Sequence, residues 1–139
     1  MMSLVVSILG DVNMTEKEIS LAIAAYLKRK YPHLLYRFDL AADLKLTMGQ
    51  AVQNKRLQMQ DRGYPDLFIA EPKKGFHGLY VEIKKSGDEV FKKNGGMRGN
   101  KHIMEQWSML YRLKQKGYRV EWGLGFQDAI KKIDNYLKD

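Results

Sequence analysis

Two charged side chains lie two residues apart in an otherwise apolar stretch of the sequence. The segment Leu79–Lys84 reads LYVEIK, and this alternation predicts a β-strand whose successive side chains point to opposite faces. The apolar residues then pack on one face, while Tyr80, Glu82 and Lys84 share the other. One interpretation is a solvated strand face with a cross-strand ion pair; the other is a carboxylate and an ammonium group that act together in a reaction centre.

A second carboxylate precedes the neighbouring apolar segment. Asp66 follows Pro65 and opens a short strand that we expect to pair with 79–84 as a hairpin, so that Asp66 faces Glu82. Two carboxylates that close repel each other unless a proton or a cation lies between them. Hard divalent cations prefer oxygen ligands of this kind. A turn residue is the alternative interpretation of Asp66 taken singly.

Two further polar residues interrupt apolar helix faces. Gln106 lies at helical spacing with Ile103 and Leu110, so we expect it to face inward. Glu16 precedes the apolar stripe of the first helix, whereas Glu18 lies toward its flank. The alternatives are a satisfied core amide for Gln106 and helix-dipole interactions for the two acids. Glu16 is the preferred ligand candidate of the two.

The elements that must position these residues follow from hydrophobic period and turn signals. Thr15 and Glu18 predict a capping box at the start of the first helix. The first predicted helix follows Thr15 and ends at about Lys30, and the other three cover 49–60, 101–116 and 126–137. The predicted strands cover 34–40, 66–70, 79–84 and 118–124. Because hairpin and crossover connections alternate, the expected fold class is α/β, with a small mixed β-sheet flanked by helices.

Length and composition exclude several classes of protein. The 139 residues favour one domain, which we assign to residues 14–139, and no stretch approaches the ~20 apolar residues of a membrane span. Residues 1–13 contain an apolar run, which is either an edge or dimer-forming strand or a loosely attached extension. The chain has no cysteine, which excludes disulfides, cysteine-ligated zinc and thiol nucleophiles.

The charge balance points to a polyanionic partner. The net charge is +8, and residues 84–119 carry ten Lys or Arg against three Asp or Glu, which accounts for seven of the eight charges. A Gly- and Lys-rich loop after the 79–84 strand and a second basic patch before Asp66 are the expected contacts with DNA phosphates. The predicted DNA-binding residues are Lys55, Arg56, Arg62, Lys85, Lys92, Lys93, Arg98 and Lys101.

Taken together, the polar residues form a pattern in chain order helix, strand, strand, helix. Glu16, Pro65-Asp66, Glu82-Ile83-Lys84 and Gln106 in that order resemble the PD-(D/E)XK nuclease superfamily. The local sequences RGYPDL at 62–67 and YVEIKK at 80–85 are more closely similar to the virus-type replication-repair nuclease (VRR-NUC) family, in its short stand-alone phage or bacterial form. The resemblance covers most of the chain from Met14 onward. Ser20 departs from it, since members often have Gln there.

The resemblance implies a restriction-endonuclease-like core and metal-dependent hydrolysis of DNA phosphodiesters. Asp66 and Glu82 would ligate Mg²⁺ or Mn²⁺ together with the carbonyl of Ile83, and Glu16 would reach the metal directly or through water. Such an ion activates water and offsets phosphate charge.

The remaining two candidates would act on the substrate side. Lys84 would lie against the scissile phosphate and the attacking water, and Gln106 would orient that water or Lys84. The resemblance also implies a cytoplasmic protein of a bacterial cell or a phage-infected host.

The implied substrate is branched DNA. Stand-alone members of the family resemble Holliday junction resolvases, so we expect a two-fold homodimer acting on four-way junctions. The N-terminal apolar run and the aromatic residues Trp107, Tyr111 and Trp122 are candidate dimer surfaces, although Trp107 is equally well interpreted as core. A less selective nicking or flap nuclease, and an inactive DNA-binding module of the same fold, are the alternatives.

Overall fold

A four-stranded mixed β-sheet forms the centre of the molecule. In the computed structural model, which describes residues 14–39 and 45–139, the strands are β1 (Tyr36–Phe38), β2 (Leu67–Ile69), β3 (Leu79–Lys84) and β4 (Arg119–Leu124). Their spatial order is β1-β2-β3-β4. The first two pairs are antiparallel and the β3–β4 pair is parallel. The predicted α/β class with a small mixed sheet is confirmed, while the expectation for residues 1–13 lies outside the described residues.

The structure describes four helices at positions close to those predicted. They are α1 (Glu16–Lys30), α2 (Met48–Leu57), α3 (Lys101–Gln115) and α4 (Phe126–Leu137), and a short 3₁₀ turn follows β3 at Gly87–Glu89. Three of these helices, α1, α3 and α4, pack on the sheet. The Thr15–Glu18 capping box forms as expected at the start of α1. Among the helices of the described ranges, none has the length and apolar character needed to cross a bilayer.

One face of the sheet carries the main hydrophobic core. Helices α1 and α4 pack against each other and against this face. The buried residues of α1 recur at helical spacing, Ile19, Ile23 and Leu27. They share one apolar cluster with Val81 and Ile83 of β3. The odd-numbered side of β3 is therefore fixed by close packing, as its alternation predicts.

The opposite face is covered by α3, and this corrects one expectation. Trp122 was expected as a dimer-surface residue, but it is only 7% exposed and belongs to a second apolar cluster with Val90, Ile103 and Leu110. The reason is its register: Trp122 pairs with Glu82 on the face of the sheet that α3 covers. Only Tyr111 of the three aromatic residues is exposed, at 62%.

Trp107 packs, half-buried, against the same second cluster. Its ring lies 5.2 Å from that of Trp122, centroid to centroid. All six residues of β3 are consequently buried. The interpretation of Tyr80, Glu82 and Lys84 as a solvated strand face is therefore wrong, because two layers of helix enclose the strand.

Candidate functional site

The site lies at the start of β2, beside the second half of β3. The two strands pair with Leu67 opposite Val81, and Asp66 is the residue immediately before β2. There the backbone N–H of Ile83 donates a 2.8 Å hydrogen bond to Oδ2 of Asp66. The side chain of Asp66 thus satisfies a strand N–H that the short β2 does not reach with its own backbone. This bond holds the Asp66 carboxyl beside β3.

Glu82 lies at the centre of the site and is almost fully buried, with 3% of its surface exposed. Its Oε1 accepts a 2.6 Å hydrogen bond from Nε2 of Gln106 on α3. Its Oε2 is buried and has no hydrogen-bond donor among the residues that the structure describes. The nearby polar group is the carboxyl of Asp66, which lies within hydrogen-bonding range. Two carboxyls in such contact need a proton or a cation between them.

The protonation of Glu82 reflects these surroundings. Burial raises the pKa of Glu82 well above its ordinary value, and the charge of Asp66 raises it further. The ammonium group of Lys84 opposes this increase, while Glu16 adds to it. The neutral form is favoured because the site brings several acidic groups together in a poorly hydrated place. A divalent cation would reverse the preference by favouring the ionised form.

Lys84 and Glu16 approach this centre from two different elements. Lys84 follows Glu82 on the same face of β3 and is 4% exposed. Its carbonyl accepts a hydrogen bond from the Gly125 N–H, which ties this end of β3 to the start of α4. Glu16 begins α1 and is half-buried within electrostatic range of Glu82. Glu18, in contrast, is exposed, and its carboxyl accepts a bond from the Thr15 N–H in the capping box.

Gly63, in the RGYPDL segment, constrains how the chain approaches Asp66. Gly63 has φ +91°, and a Cβ placed there would lie 2.6 Å from the carbonyl oxygen of Glu105 and 2.9 Å from the backbone nitrogen of Gln106. Only glycine adopts this conformation and allows this approach without strain. The turn before Asp66 therefore rests on the backbone of α3 at Gln106. The signal in the sequence was the Gly in the RGYPDL motif.

A pair of tyrosines supports the same turn. The hydroxyl groups of Tyr64 and Tyr80 lie 2.8 Å apart, and the two rings meet edge to face with centroids separated by 5.5 Å. Tyr80 is buried on the same side of β3 as Glu82, and Tyr64 lies two residues before Asp66. This contact fixes the turn to β3, just as Gly63 fixes it to α3. Sequence reasoning did not foresee the pair, because the contact joins segments with no local signal.

The donor set fits a divalent cation, although it is small. Asp66 and Glu82 supply two adjacent carboxyls, and the unsatisfied Oε2 of Glu82 is the kind of buried oxygen that a cation would satisfy. Within the described ranges no three His, Cys, Asp or Glu side chains already stand in ligating positions. Mg²⁺ keeps several waters and uses few carboxylates, which agrees with two direct acids and a more distant Glu16.

The predicted DNA-binding residues are all on the surface. Each of Lys55, Arg56, Arg62, Lys85, Lys92, Lys93, Arg98 and Lys101 is exposed. Arg62 and Lys101 line a polar cleft of about 440 Å³ together with Glu105 and Arg112. The loop after β3 is folded: Phe91 and Met97 form a bridge, and the buried Val90 anchors it to the second apolar cluster. This arrangement presents Lys92 and Lys93 at the tip.

Comparison with known proteins supports the fold. The chain superposes on a solved structure described as a VRR_NUC domain protein, with a TM-score of 0.57, 24% sequence identity, and coverage of 89% of this chain and 88% of that chain. No protein-family model and no curated protein matches the sequence. The resemblance seen in the sequence motifs is thus confirmed by the structure at the level of fold.

Proposed function

We propose that this protein is a divalent-metal-dependent endonuclease of the PD-(D/E)XK type that hydrolyses DNA phosphodiesters. The single observation that carries the proposal is the contact of the Asp66 and Glu82 carboxyls on the sheet, with Lys84 beside them. Burying Glu82 and Lys84 beside the half-buried Asp66 costs folding free energy, since ionisable groups lose hydration there. Such an arrangement is expected where chemistry requires it. The fold shared with a VRR_NUC domain protein supports the same conclusion.

In the proposed site, Asp66, Glu82 and the Ile83 carbonyl would hold Mg²⁺ or Mn²⁺, and Glu16 would reach the ion directly or through water. When bound, the ion activates water for attack on the phosphodiester and offsets the phosphate charge. The protein residues provide the orientation. The Ile83 N–H fixes the Asp66 carboxyl through Oδ2, and the Gln106 amide fixes Glu82 through Oε1. Both acids are therefore pre-organised before substrate arrives.

Lys84 is the proposed contact for the scissile phosphate. Its ammonium lies next to Glu82 on one strand face, so its position is set by the backbone of β3. A fixed cation at this point stabilises charge that develops on the non-bridging oxygens, in a site from which most water is excluded. Gln106 is a positioning residue, because it acts through Glu82 and has no polar atom exposed to substrate.

The preferred substrate that we propose is branched DNA, with a four-way junction first. The exposed basic residues lie both before Asp66 and after β3 in the sequence, and Arg62 and Lys101 from these two groups line one cleft, where they offer phosphate contacts. Two symmetric strands of a junction require two sites, which a two-fold homodimer supplies. We propose that it acts in the cytoplasm of a bacterial cell or a phage-infected host.

The experiment compares labelled four-way junction, flap and linear duplex DNA, each with Mg²⁺, with Mn²⁺ and with EDTA. Metal-dependent cutting with the junction cut fastest is the expected result. Equal cutting of the three DNAs would favour a less selective nicking or flap nuclease. Binding without cutting under every metal condition would leave an inactive DNA-binding module. Full activity in EDTA would contradict the metal-dependent mechanism.

Oligomeric state is a separate measurement. Sedimentation velocity of the full chain, alone and with junction DNA, is expected to give a dimer. A monomer in both conditions would contradict the symmetric two-site scheme and leave the metal-dependent chemistry untouched.

A further inference from the structure

Helix α2 differs from the other described helices, because it is a complete helix of ten residues with no buried residue. The pairs of elements that pack extensively on one another in the described part of the chain do not include it. The described side-chain hydrogen bonds of this helix are local: Thr47 and Gln50 form a capping box at its start, and Gln58 donates to Asn54 at its end. An isolated helix of this length is marginal in water, since packing normally supplies its stability.

Contacts of the residues that flank α2 connect its segment to the site. The backbone N–H of Asp39 donates to the carbonyl of Asp66, so the chain departs from the sheet and returns to it at the same place. After α2, the ion pair between Asp61 and Arg112 at 2.7 Å ties the returning segment to α3. Gly63 then rests on the α3 backbone. Helix α2 is thus the central element of an excursion whose end carries the catalytic acid of the proposed function.

The composition of the α2 segment, residues 45–60, selects its partner. Between Asp43 and Asp61 it has no acidic residue, and three cations stand with five Gln or Asn. A surface without a single carboxylate is complementary to a phosphate backbone. Amide side chains are also the ones that bond bidentately to the base edge of adenine. A second copy of this chain, which carries the same positive charge, fits this surface less well.

We propose that α2 enters the major groove of the DNA arm next to the cleavage site. This inference rests on the proposed function for its location and names the part of the substrate that the site holds. A helix with its side chains is about 10–12 Å across, close to the ~12 Å width of that groove. Lys55 and Arg56 in the last turn contact phosphates, and Gln53, which lies one turn from Arg56, faces the base edges. Binding supplies packing that the described residues of the chain do not give α2.

The first test measures DNA affinity against salt concentration. The variant Lys55→Ala/Arg56→Ala and the matched control Lys114→Ala/Lys116→Ala each lose two exposed charges. In EDTA, with a labelled four-way junction, the slope of log Kd against log salt is expected to fall by about 1.8 for the first, from ~0.9 per phosphate contact, and to stay near the wild-type value for the control. Equal slopes for the two variants would overturn the proposal. Circular dichroism confirms that both remain folded.

The second test asks which groove is occupied. Junction DNA lightly methylated at guanine N7, which projects into the major groove, is separated into bound and free fractions. DNA that is methylated on one arm near the cut is expected to be depleted from the fraction bound to the wild type. Gln53→Ala is expected to weaken that depletion. Uniform methylation in both fractions would contradict major-groove entry.

A third variant separates a DNA contact from a contact between copies. Met48→Glu/Val52→Glu changes two exposed apolar residues of α2. Dissociation of a dimer by this variant, with normal salt dependence in Lys55→Ala/Arg56→Ala, would overturn the proposal in favour of a subunit interface. Failure of the proposed function is distinguishable from these results. It would appear as absent cleavage by the wild type, while binding that still depends on Lys55 and Arg56 would support the α2 proposal.

Discussion

The amide of Gln106 on α3 donates a 2.6 Å hydrogen bond to the carboxyl of Glu82 on β3, and both residues are almost fully buried. This bond joins the sheet to the helix that covers it at the centre of the candidate site. Burial and the charge of the nearby Asp66 carboxyl both raise the pKa of Glu82, and a cation between the two acids would favour ionisation of both.

Lys84→Met is expected to lower the cleavage rate by about 10²–10⁴-fold, the range found when a group that acts directly on the reacting atoms is removed. DNA binding in EDTA should persist, because it depends on the exposed basic residues. Lys114→Met, at an exposed lysine outside the predicted DNA-binding set, serves as the control and should retain most of the activity. Single-turnover cleavage and anisotropy measure the two properties, and a Lys84→Met protein that cuts normally would remove Lys84 from the mechanism.

Gly63→Ala should damage the site without changing any of its polar groups. The added methyl would meet the α3 backbone at 2.6 Å, and the positive φ disfavours any side chain. We expect a loss of about 1–3 kcal/mol in the free energy of unfolding, typical of overpacking, and a strong loss of cleavage. Gly99→Ala, where a Cβ meets nothing within 4 Å, is the control. Denaturant unfolding measures the stability of both variants. Equal stability would show that the close contact between residue 63 and the α3 backbone does not constrain the turn.

Glu82→Gln should stabilise the metal-free protein near neutral pH while abolishing cleavage. The pKa of Glu82 is raised, so the folded state binds its proton more tightly than the unfolded state does. The stability that this proton confers is present at low pH and falls as pH rises through the folded pKa. Glutamine is neutral at every pH and can donate to Asp66. Thermal melts in EDTA should show the advantage of Glu82→Gln growing with pH; a pH-independent difference would contradict the raised pKa.

A second titrating group holds α1 and α4 together away from the site. Asp134 accepts hydrogen bonds from the hydroxyls of Tyr26, at 2.6 Å, and Tyr31, and forms an ion pair with Lys30. Burial raises the pKa of Asp134, but these partners together outweigh burial and lower it. Its contribution to stability is therefore present above the unfolded pKa of about 4 and is lost as pH falls through the lower folded value.

Asp134→Asn is accordingly expected to cost about 1.5–3 kcal/mol at pH 7, the usual worth of hydrogen bonds to a charged group, and to lose less additional stability on acidification than the wild type. Asp139→Asn removes a fully exposed carboxylate paired with Lys73 and is the matched control. Urea unfolding at pH 7 and pH 3.5 measures both. Equal losses of unfolding free energy for the two substitutions would show that the hydrogen bonds of Tyr26 and Tyr31 to Asp134 do not stabilise the fold.

Much of the fold was predictable because its signals are local. The Thr15–Glu18 capping box, the LYVEIK alternation of β3 and the amphipathic pattern of α4 each give element positions that the structure confirms within one or two residues. The sequence predicts a strand over 34–40, but β1 covers only Tyr36–Phe38. The strand is shorter because an edge strand pairs only as far as its short neighbour β2 allows.

The parts that sequence did not foresee depend on contacts distant along the chain. Burial of Trp122 follows from parallel pairing with β3 and coverage by α3, neither of which has a signal near residue 122. The close approach of Gly63 to the α3 backbone and the hydrogen bond from the Ile83 N–H to Asp66 also join residues that are distant in the sequence. The convergence of Asp66, Glu82 and Gln106 agrees with the motif pattern, whereas their parts in catalysis stay predictions.

The most direct measurement of the central claim is Mn²⁺ binding to the DNA-free protein, followed by electron paramagnetic resonance of the free ion. The wild type is expected to bind Mn²⁺ specifically at the Asp66–Glu82 pair. Asp66→Asn should lose that binding, and Asp139→Asn, which changes an exposed carboxylate far from the pair in sequence, should retain it. Undiminished Mn²⁺ binding by Asp66→Asn would contradict the account, because the ion would then be held elsewhere.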